Sequence, residues 1–310
     1  MASPLDSTYG VWLVSLFLET LLYGMGLLQT WLYFASRPKD MASVKWTVLV
    51  VLVLETIQVV FFFRSTYFRF VDRFGQIQID LIWADSLQLL AAYLSAFIVQ
   101  LYFASRIHKL TKGRGKFSLS AIGIYTILML AVVELLAGIA QTVLSYKLRS
   151  FLKLDETKPI TTVQSAASLA CDILITIYLC LFLTSQKGEM MKTNSMMDML
   201  IYDAINRGTL TALSSGVNMV LFLALPDTFW FFLGLAPCSK LYMNSMLATL
   251  NTRQRIRNKI AVDDKGWNSI PMGSITTSNI PKRIQGQASI AAVDFETASV
   301  GNSSVMGIAV

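Results

Sequence analysis

The feature that most constrains this chain is a recurrence of long apolar stretches separated by short polar segments. A helix of about 20 apolar residues crosses the hydrocarbon core of a bilayer and satisfies its own backbone hydrogen bonds. The stretches of that kind cover residues 9–34, 44–63, 81–103, 122–145, 163–183, 209–225 and 229–250. Only 15% of the residues are charged, against about 25% in ordinary soluble domains. We therefore predict an all-α membrane protein, a seven-transmembrane helix bundle.

The sixth stretch is short and is followed by Pro226-Asp227. Stretches six and seven could therefore form one re-entrant hairpin. Six spans are the alternative prediction.

Lysine and arginine resist translocation, so the loops that are rich in them stay on the cytoplasmic side. The loops after spans one, three and five, with the start of the tail, hold 15 of these residues, and the opposite loops hold seven. This asymmetry predicts a short extracellular N-terminus, 1–8, a transmembrane domain, 9–258, and a cytoplasmic tail, 259–310. The tail lacks helical or alternating periodicity and is predicted to be disordered.

Six ionisable side chains fall inside the predicted spans, where each costs about 2.5 kcal/mol or more unless it finds a partner. They are Glu19, Glu55, Asp85, Glu134, Asp172 and Lys240. Glu19, Asp85 and Glu134 lie toward the outer side, and Gln88 shares a helix face with Asp85. We predict that these four residues line an outward-facing site for a cationic or hydrogen-bond-donating ligand. Alternatively, the acids are protonated or bonded to neutral groups and only hold helices together.

Lys240 is the one basic residue well inside a span. Burial requires a countercharge, and Glu55 and Asp172 lie at compatible depth, which predicts a buried charge pair or relay. The alternative is that Lys240 extends its flexible side chain to the cytoplasmic interface. A retinal Schiff base is disfavoured because Ala236 stands one helical turn before the lysine, where microbial rhodopsins carry an aspartate. No cofactor is predicted.

Enzymatic and nucleic-acid functions have little support. His108 is the single histidine, no nucleophile or phosphate-binding motif occurs, and neither a catalytic residue nor a metal site is predicted. The net charge of +7 arises from Lys and Arg beside the apolar stretches, so the expected partner is the lipid bilayer and not nucleic acid. Anionic lipid is expected at Arg253, Arg255, Arg257 and Lys259.

Several short motifs resemble a fungal, mainly basidiomycete, seven-transmembrane family known as a domain of unknown function (DUF6534). They comprise Tyr23, Gly24 and Gln29; Gln100, Arg106 and Ile107; Arg207, Gly208, Leu210 and Thr211; and Leu241, Tyr242, Asn244, Ser245, Leu247, Ala248, Leu250, Asn251 and Arg253. The resemblance covers about residues 10–258 and implies a membrane-bound seven-helix architecture without an established activity. In the last motif, Ser245 permits close packing, and Asn244 and Asn251 are expected to bond neighbouring helices or cap the terminus.

Three functions remain open at this stage. The first is a receptor-like sensor of a small extracellular ligand, located in the plasma membrane rather than in internal membranes. The second is a transporter or proton-coupled carrier in which Glu55, Glu134 and Asp172 relay charge. The third is a membrane scaffold protein, in which the polar residues only specify helix packing.

Overall fold

The fold is known from a computed structural model, which describes residues 6–36, 38, 40–76, 80–111, 117–185, 191–225 and 228–268. Within them the chain forms seven α-helices. These are α1 Val11–Ala35, α2 Ala42–Tyr67, α3 Trp83–Thr111, α4 Phe117–Leu148, α5 Lys158–Ser185, α6 Met191–Ala224 and α7 Phe232–Asn268. Residues 1–257 form one compact unit and 258–310 a second. Most of the predicted disordered tail, 269–310, lies outside the described residues.

Helices α1 to α5 are each long and apolar enough to cross a membrane. Their apolar side chains stay exposed on the outside of the bundle, as Phe17, Trp31, Met129 and Leu181 do, each more than half exposed. Continuous apolar surface of this extent marks a face that meets lipid. The chain is therefore an all-helical membrane protein, as predicted. Helices α6 and α7 are less apolar over their full lengths.

Helix α3 lies at the centre of the bundle, where it packs against α2, α4 and α5. More of its residues are buried than in any other described helix, including Ser95, Val99, Phe103 and Ile107. Because α3 is enclosed on most sides, its polar residues must find partners on neighbouring helices.

One end of the bundle is closed by a group of aromatic side chains, here called the aromatic end. Trp12 at the start of α1 packs against Phe62 near the end of α2, Phe151 after α4 and Phe232 at the start of α7. Phe222 near the end of α6 joins the same cluster. Helix starts and helix ends therefore alternate at this end, as expected for a chain that runs up and down through the bundle.

Helices α1 and α7 run parallel to each other. Asn244 Nδ2 donates to the carbonyl of Leu22, and Asn251 Nδ2 donates to the carbonyl of Gln29, both at 2.9 Å. The sequence separation is 222 residues in each case, so both helices advance in the same direction. The first and the last helix thus pass through the bundle the same way.

Candidate functional site

Lys240 is fully buried in the bundle among acceptor side chains. Its Nζ lies 2.6 Å from Glu55 Oε2 and 3.1 Å from Glu19 Oε1, and it donates to Gln58 Oε1 at 2.8 Å. The structure therefore brings Lys240 together with Glu55, while Asp172 lies elsewhere. The ammonium group points to these acids and not to the cytoplasmic interface.

Two serines complete this group, here called the lysine cluster. Ser95 on α3 donates to Glu55 Oε1, and Ser239 on α7 donates to Gln58 Oε1 at 2.6 Å. Glu55 Oε1 thus accepts a hydrogen bond from Ser95, and Glu55 Oε2 accepts one from Lys240. The lysine cluster ties α1, α2, α3 and α7 together.

Asp172 belongs to a second polar group, on α5, α6 and α7. The hydroxyl of Tyr242 donates to Asp172 Oδ2 at 2.6 Å and lies 3.0 Å from Ser168 Oγ. Arg207, buried on α6, is close enough to Asp172 for an electrostatic interaction and packs over the ring of Phe103 at 3.8 Å. Asp172 thus has a basic partner that the sequence did not indicate.

Glu134 on α4 is buried and accepts a hydrogen bond of 2.6 Å from Gln100 Nε2 on α3. About two turns further along α4, Gln141 accepts a hydrogen bond of 2.6 Å from the hydroxyl of Tyr93. These two bonds join α3 to α4 along their buried faces.

Asp85 is neutralised by Arg69 at the aromatic end. Arg69 Nη2 lies 2.8 Å from Asp85 Oδ2 and donates to the carbonyl of Asp80 at 2.9 Å. The guanidinium also lies over the rings of Trp12, at 4.5 Å, and Phe151, at 5.2 Å. The predicted spans 44–63 and 81–103 leave Arg69 in the loop between them. The helical turn Phe68–Asp72 that continues α2 instead carries it back into the bundle.

A cavity of about 50 Å³ lies near the aromatic end, between the 3₁₀ turn Phe151–Thr157 and helices α3 to α7. We call it the aromatic cavity. Its walls are mostly apolar, with a small number of amide and hydroxyl groups. It is lined by Leu81, Asp85, Gln88, Leu89, Tyr93, Gln141, Ser145, Phe151, Thr161, Asn218, Phe222, Phe231, Phe232 and Leu235.

A second cavity of about 30 Å³ adjoins the first, and a larger share of its lining residues is polar. We call it the polar cavity. The two share Tyr93, Asn218 and Leu235, so they form neighbouring compartments along the bundle axis. The polar cavity is lined by Ala92, Tyr93, Ala96, Glu134, Gln164, Ser165, Ser168, Ser215, Asn218, Leu235, Cys238, Ser239 and Tyr242.

The four residues predicted to form one ligand site are divided among three places. Asp85 and Gln88 line the aromatic cavity, Glu134 lines the polar cavity, and Glu19 belongs to the lysine cluster. Positions along a helix and around it can be predicted from the sequence, but neither determines which helices are neighbours. Amides such as Asn218 were missed because nothing in the sequence distinguishes them from lipid-interface residues.

The motif on helix α7 makes contacts inside the bundle. Asn244 and Asn251 bond the backbone of α1, as described above, and Tyr242 bonds Asp172. Ser245 Oγ donates to the carbonyl of Tyr242 at 2.8 Å. The motif therefore fastens α7 to α1 and α5.

A family of unknown function (DUF6534) matches residues 168–255, which extend from α5 to α7. The matched part contains Asp172, Arg207, Lys240 and Tyr242, but not the partner acids Glu19 and Glu55. No curated protein and no solved structure gives a match to the chain.

Proposed function

We propose that this protein is a receptor-like membrane sensor that binds a small ligand in the aromatic cavity and is not an enzyme. The observation that supports the proposal is the cavity itself. Binding sites for small molecules are typically concave and mostly apolar, with a few convergent polar groups. The aromatic cavity has this character, because apolar side chains form most of its lining and Gln88, Gln141 and Asn218 add amides.

The lining indicates the chemistry of the ligand. Asp85 is the only carboxylate among the lining residues, and its charge is balanced by Arg69 at 2.8 Å. A cationic ligand would therefore meet no free countercharge there. The remaining polar groups are neutral, with Gln88, Gln141 and Asn218 supplying amides. We infer a neutral, largely apolar ligand that exchanges hydrogen bonds with these amides, which revises the cationic ligand expected from the sequence.

Hydrogen bonds from α7 connect the cavities with the two buried polar groups, so ligand binding can alter those groups. The polar cavity adjoins the ligand cavity and is lined on α7 by Ser239 and Tyr242. Ser239 donates to Gln58 in the lysine cluster, and Tyr242 donates to Asp172. A ligand that shifts α7 would therefore change two buried polar groups at once.

We further propose that the chain crosses the membrane seven times, with the N-terminus outside and the tail in the cytoplasm. The membrane in question is the plasma membrane. The parallel course of α1 and α7 supports an odd number of crossings. The excess of Lys and Arg on one side supports the orientation. Membership of the whole chain in the fungal seven-transmembrane family is part of the same proposal, since the family matches only residues 168–255.

A thermal-shift screen of neutral, partly apolar fragments against the purified full chain tests the ligand site. Fragments that raise the melting temperature of the wild type are then titrated against Gln88→Leu. Loss of one hydrogen bond, about 1.4 kcal/mol at most, weakens binding about tenfold. Leu87→Met, which changes the lipid-facing neighbour of Gln88, should leave binding unchanged. Equal weakening in both variants, or none in either, would contradict the proposal.

Proteoliposomes with an internal pH-sensitive dye distinguish the receptor from the carrier. A receptor gives no flux. Charge-coupled uptake that is abolished by Asp172→Asn would instead establish the carrier, in which Glu55, Glu134 and Asp172 relay charge.

We also propose that the end of α7 nearest the tail binds anionic lipid. Arg253 and Arg255 are exposed there, and Arg257 and Lys259 follow on the same helix. Each basic residue near an anionic surface contributes about 1 kcal/mol. Replacing all four by Gln should reduce the enrichment of phosphatidylserine around the protein in mixed-lipid nanodiscs, measured by mass spectrometry.

A further inference from the structure

The buried charges of the bundle are unequal in number. Within the described residues, five acidic and three basic side chains are buried. The acids are Glu19, Glu55, Asp85, Glu134 and Asp172, and the bases are Arg69, Arg207 and Lys240. An uncompensated charge in a low-dielectric interior is expensive, so each excess acid must hold a proton or a cation.

The contacts show which acids are in excess. Arg69 pairs with Asp85, Lys240 lies closest to Glu55, and Arg207 interacts with Asp172. Glu19 and Glu134 remain.

The two excess acids differ in their surroundings. Glu19 Oε1 lies 3.1 Å from the Lys240 ammonium, and Glu19 lines neither cavity. Glu134 borders the polar cavity and makes no ion pair with any side chain in the described part of the chain. Of the two, only Glu134 can therefore be approached by an ion from a cavity.

We propose that the polar cavity is a binding site for a monovalent metal cation, Na⁺ or K⁺, with the Glu134 carboxylate as its charged ligand. Alkali cations bind to oxygen atoms, and the wall beside Glu134 supplies them from Gln164, Ser165 and Ser168 on α5. The space of about 30 Å³ inside the cavity takes the ion and about one water, because a water-sized particle needs about 10–15 Å³ of such space.

The charge of the site favours a monovalent ion. Ca²⁺ sites usually combine several carboxylates, and any divalent ion beside the single Glu134 carboxylate would leave a net positive charge. No group of three or more His, Cys, Asp or Glu side chains suited to a metal ion occurs among the described residues. Asp172, the nearest other acid, is engaged by Tyr242 and Arg207. The Glu134 carboxylate is then the one negative charge without a basic partner at this site, and one monovalent ion balances it.

The polar cavity borders the aromatic cavity, because Tyr93, Asn218 and Leu235 line both. An ion that arrives through the aromatic cavity would pass these three side chains. This site does not depend on the identity of the ligand in the aromatic cavity, and it can be tested without that ligand.

The experiment measures the melting temperature of the full-length protein in nanodiscs of zwitterionic lipid at constant pH and ionic strength. NaCl or KCl is titrated against N-methylglucamine chloride, whose cation is too large for the site. Binding to the folded state raises the melting temperature saturably. We expect this rise in the wild type and its loss in Glu134→Gln. Ser168→Ala should raise the half-saturating concentration several-fold.

Glu19→Gln is the matched control, because it removes the other excess acid without changing the cavity, and it should keep the cation-dependent rise. Direct binding of ²²Na⁺ or ⁸⁶Rb⁺ to the wild type, near one ion per chain, supports the site even if Glu134→Gln fails to fold. The proposal is overturned if neither isotope binds, or if Glu134→Gln keeps the saturable rise.

A pH titration separates a metal ion from a proton. The titratable groups that interact with Glu134 are Tyr93, Cys171, Asp172, Cys238 and Tyr242. A melting temperature that depends on pH through Glu134, but is the same in Na⁺, K⁺ and N-methylglucamine, would show that a proton occupies the site and would overturn the proposal.

Discussion

At the scale of single residues, the lysine cluster shows how a membrane protein accommodates a lysine in its interior. Lys240 is buried with two acids and an amide within 3.1 Å of its Nζ. A buried pair adds little net stability compared with an apolar pair, but removing one partner leaves a charge without compensation. Lys240 therefore supplies the positive charge that compensates the buried acids of α1 and α2.

Lys240→Met should lower the free energy of unfolding by about 3–5 kcal/mol, because Glu55 then lacks its countercharge. Denaturation of the purified protein in mixed micelles measures this change. The double variant Lys240→Met with Glu55→Gln should recover a large part of the loss. Combining Lys240→Met with Asp172→Asn should recover none, since Asp172 lies outside the lysine cluster. Recovery by Asp172→Asn would disagree with the observed pairing.

Tyr242→Phe should destabilise the bundle by about 1.5–3 kcal/mol, the range for a hydrogen bond to a charged group. The lost bond is the 2.6 Å donation to Asp172. The control is Tyr125→Phe on α4, where the side chain is 69% exposed and the hydroxyl removal should have little effect. Equal melting temperatures for the two variants would show that the bond to Asp172 has no energetic weight.

At the scale of helices, α6 and α7 approach each other closely at Gly234. A Cβ atom on this residue would lie 2.5 Å from the backbone nitrogen of Asn218 and 2.7 Å from the carbonyl oxygen of Ser214. The hydroxyl of Ser214 in turn donates to the carbonyl of Gly234 at 2.8 Å. Small residues permit such backbone contact between helices in membranes.

Gly234→Ala should therefore force α6 and α7 apart and reduce stability by about 1–3 kcal/mol, as overpacking does. Gly24→Ala on α1 is the control, because no atom lies within 4 Å of the added Cβ. That substitution should raise stability by about 0.5–1 kcal/mol through the better helix propensity of alanine. Thermal unfolding measures the stability of both variants, which should change in opposite directions. A stabilised Gly234→Ala variant would contradict the close contact between α6 and α7.

The positions of the helices could be predicted from sequence patterns more accurately than their ends. Each predicted apolar stretch corresponds to one α-helix, because a helix is the way to satisfy backbone groups in lipid. Helix ends were less predictable. Helix α2 was expected to end at Phe63, but it continues through Tyr67 and the turn after it, which buries Arg69 beside Asp85. From the sequence, a basic residue near the end of a span is interpreted as an anchor at the membrane interface. Its acid partner on another helix is visible only in the tertiary structure.

At the scale of the whole molecule, the course of the chain follows from contacts between its first and last helices. Asn244 and Asn251 on α7 donate hydrogen bonds to backbone carbonyls of α1. Donor and acceptor are 222 residues apart in both bonds, so α1 and α7 are parallel. With alternating helices between them, the start of α1 and the part of α7 near Asn251 therefore lie at opposite ends of the bundle.

An epitope tag at the N-terminus should therefore be accessible to antibody on intact cells, and a tag at the C-terminus only after permeabilisation. The reason is the excess of Lys and Arg in the loops on the tail side. Flow cytometry with and without detergent gives the result. Two tags on the same side would contradict the parallel course of α1 and α7, and both tags reversed would contradict the orientation alone.

The sequence alone determined that the chain forms membrane helices, about where they lie, and that a few of them carry charges at depth. Those properties follow from local composition and the rise of a helix. The tertiary structure decided the partners: Glu55 and Glu19 for Lys240, Arg69 for Asp85, and a polar cavity for Glu134. A partner choice depends on which helix faces meet, and helices far apart along the chain meet only through packing of the whole bundle.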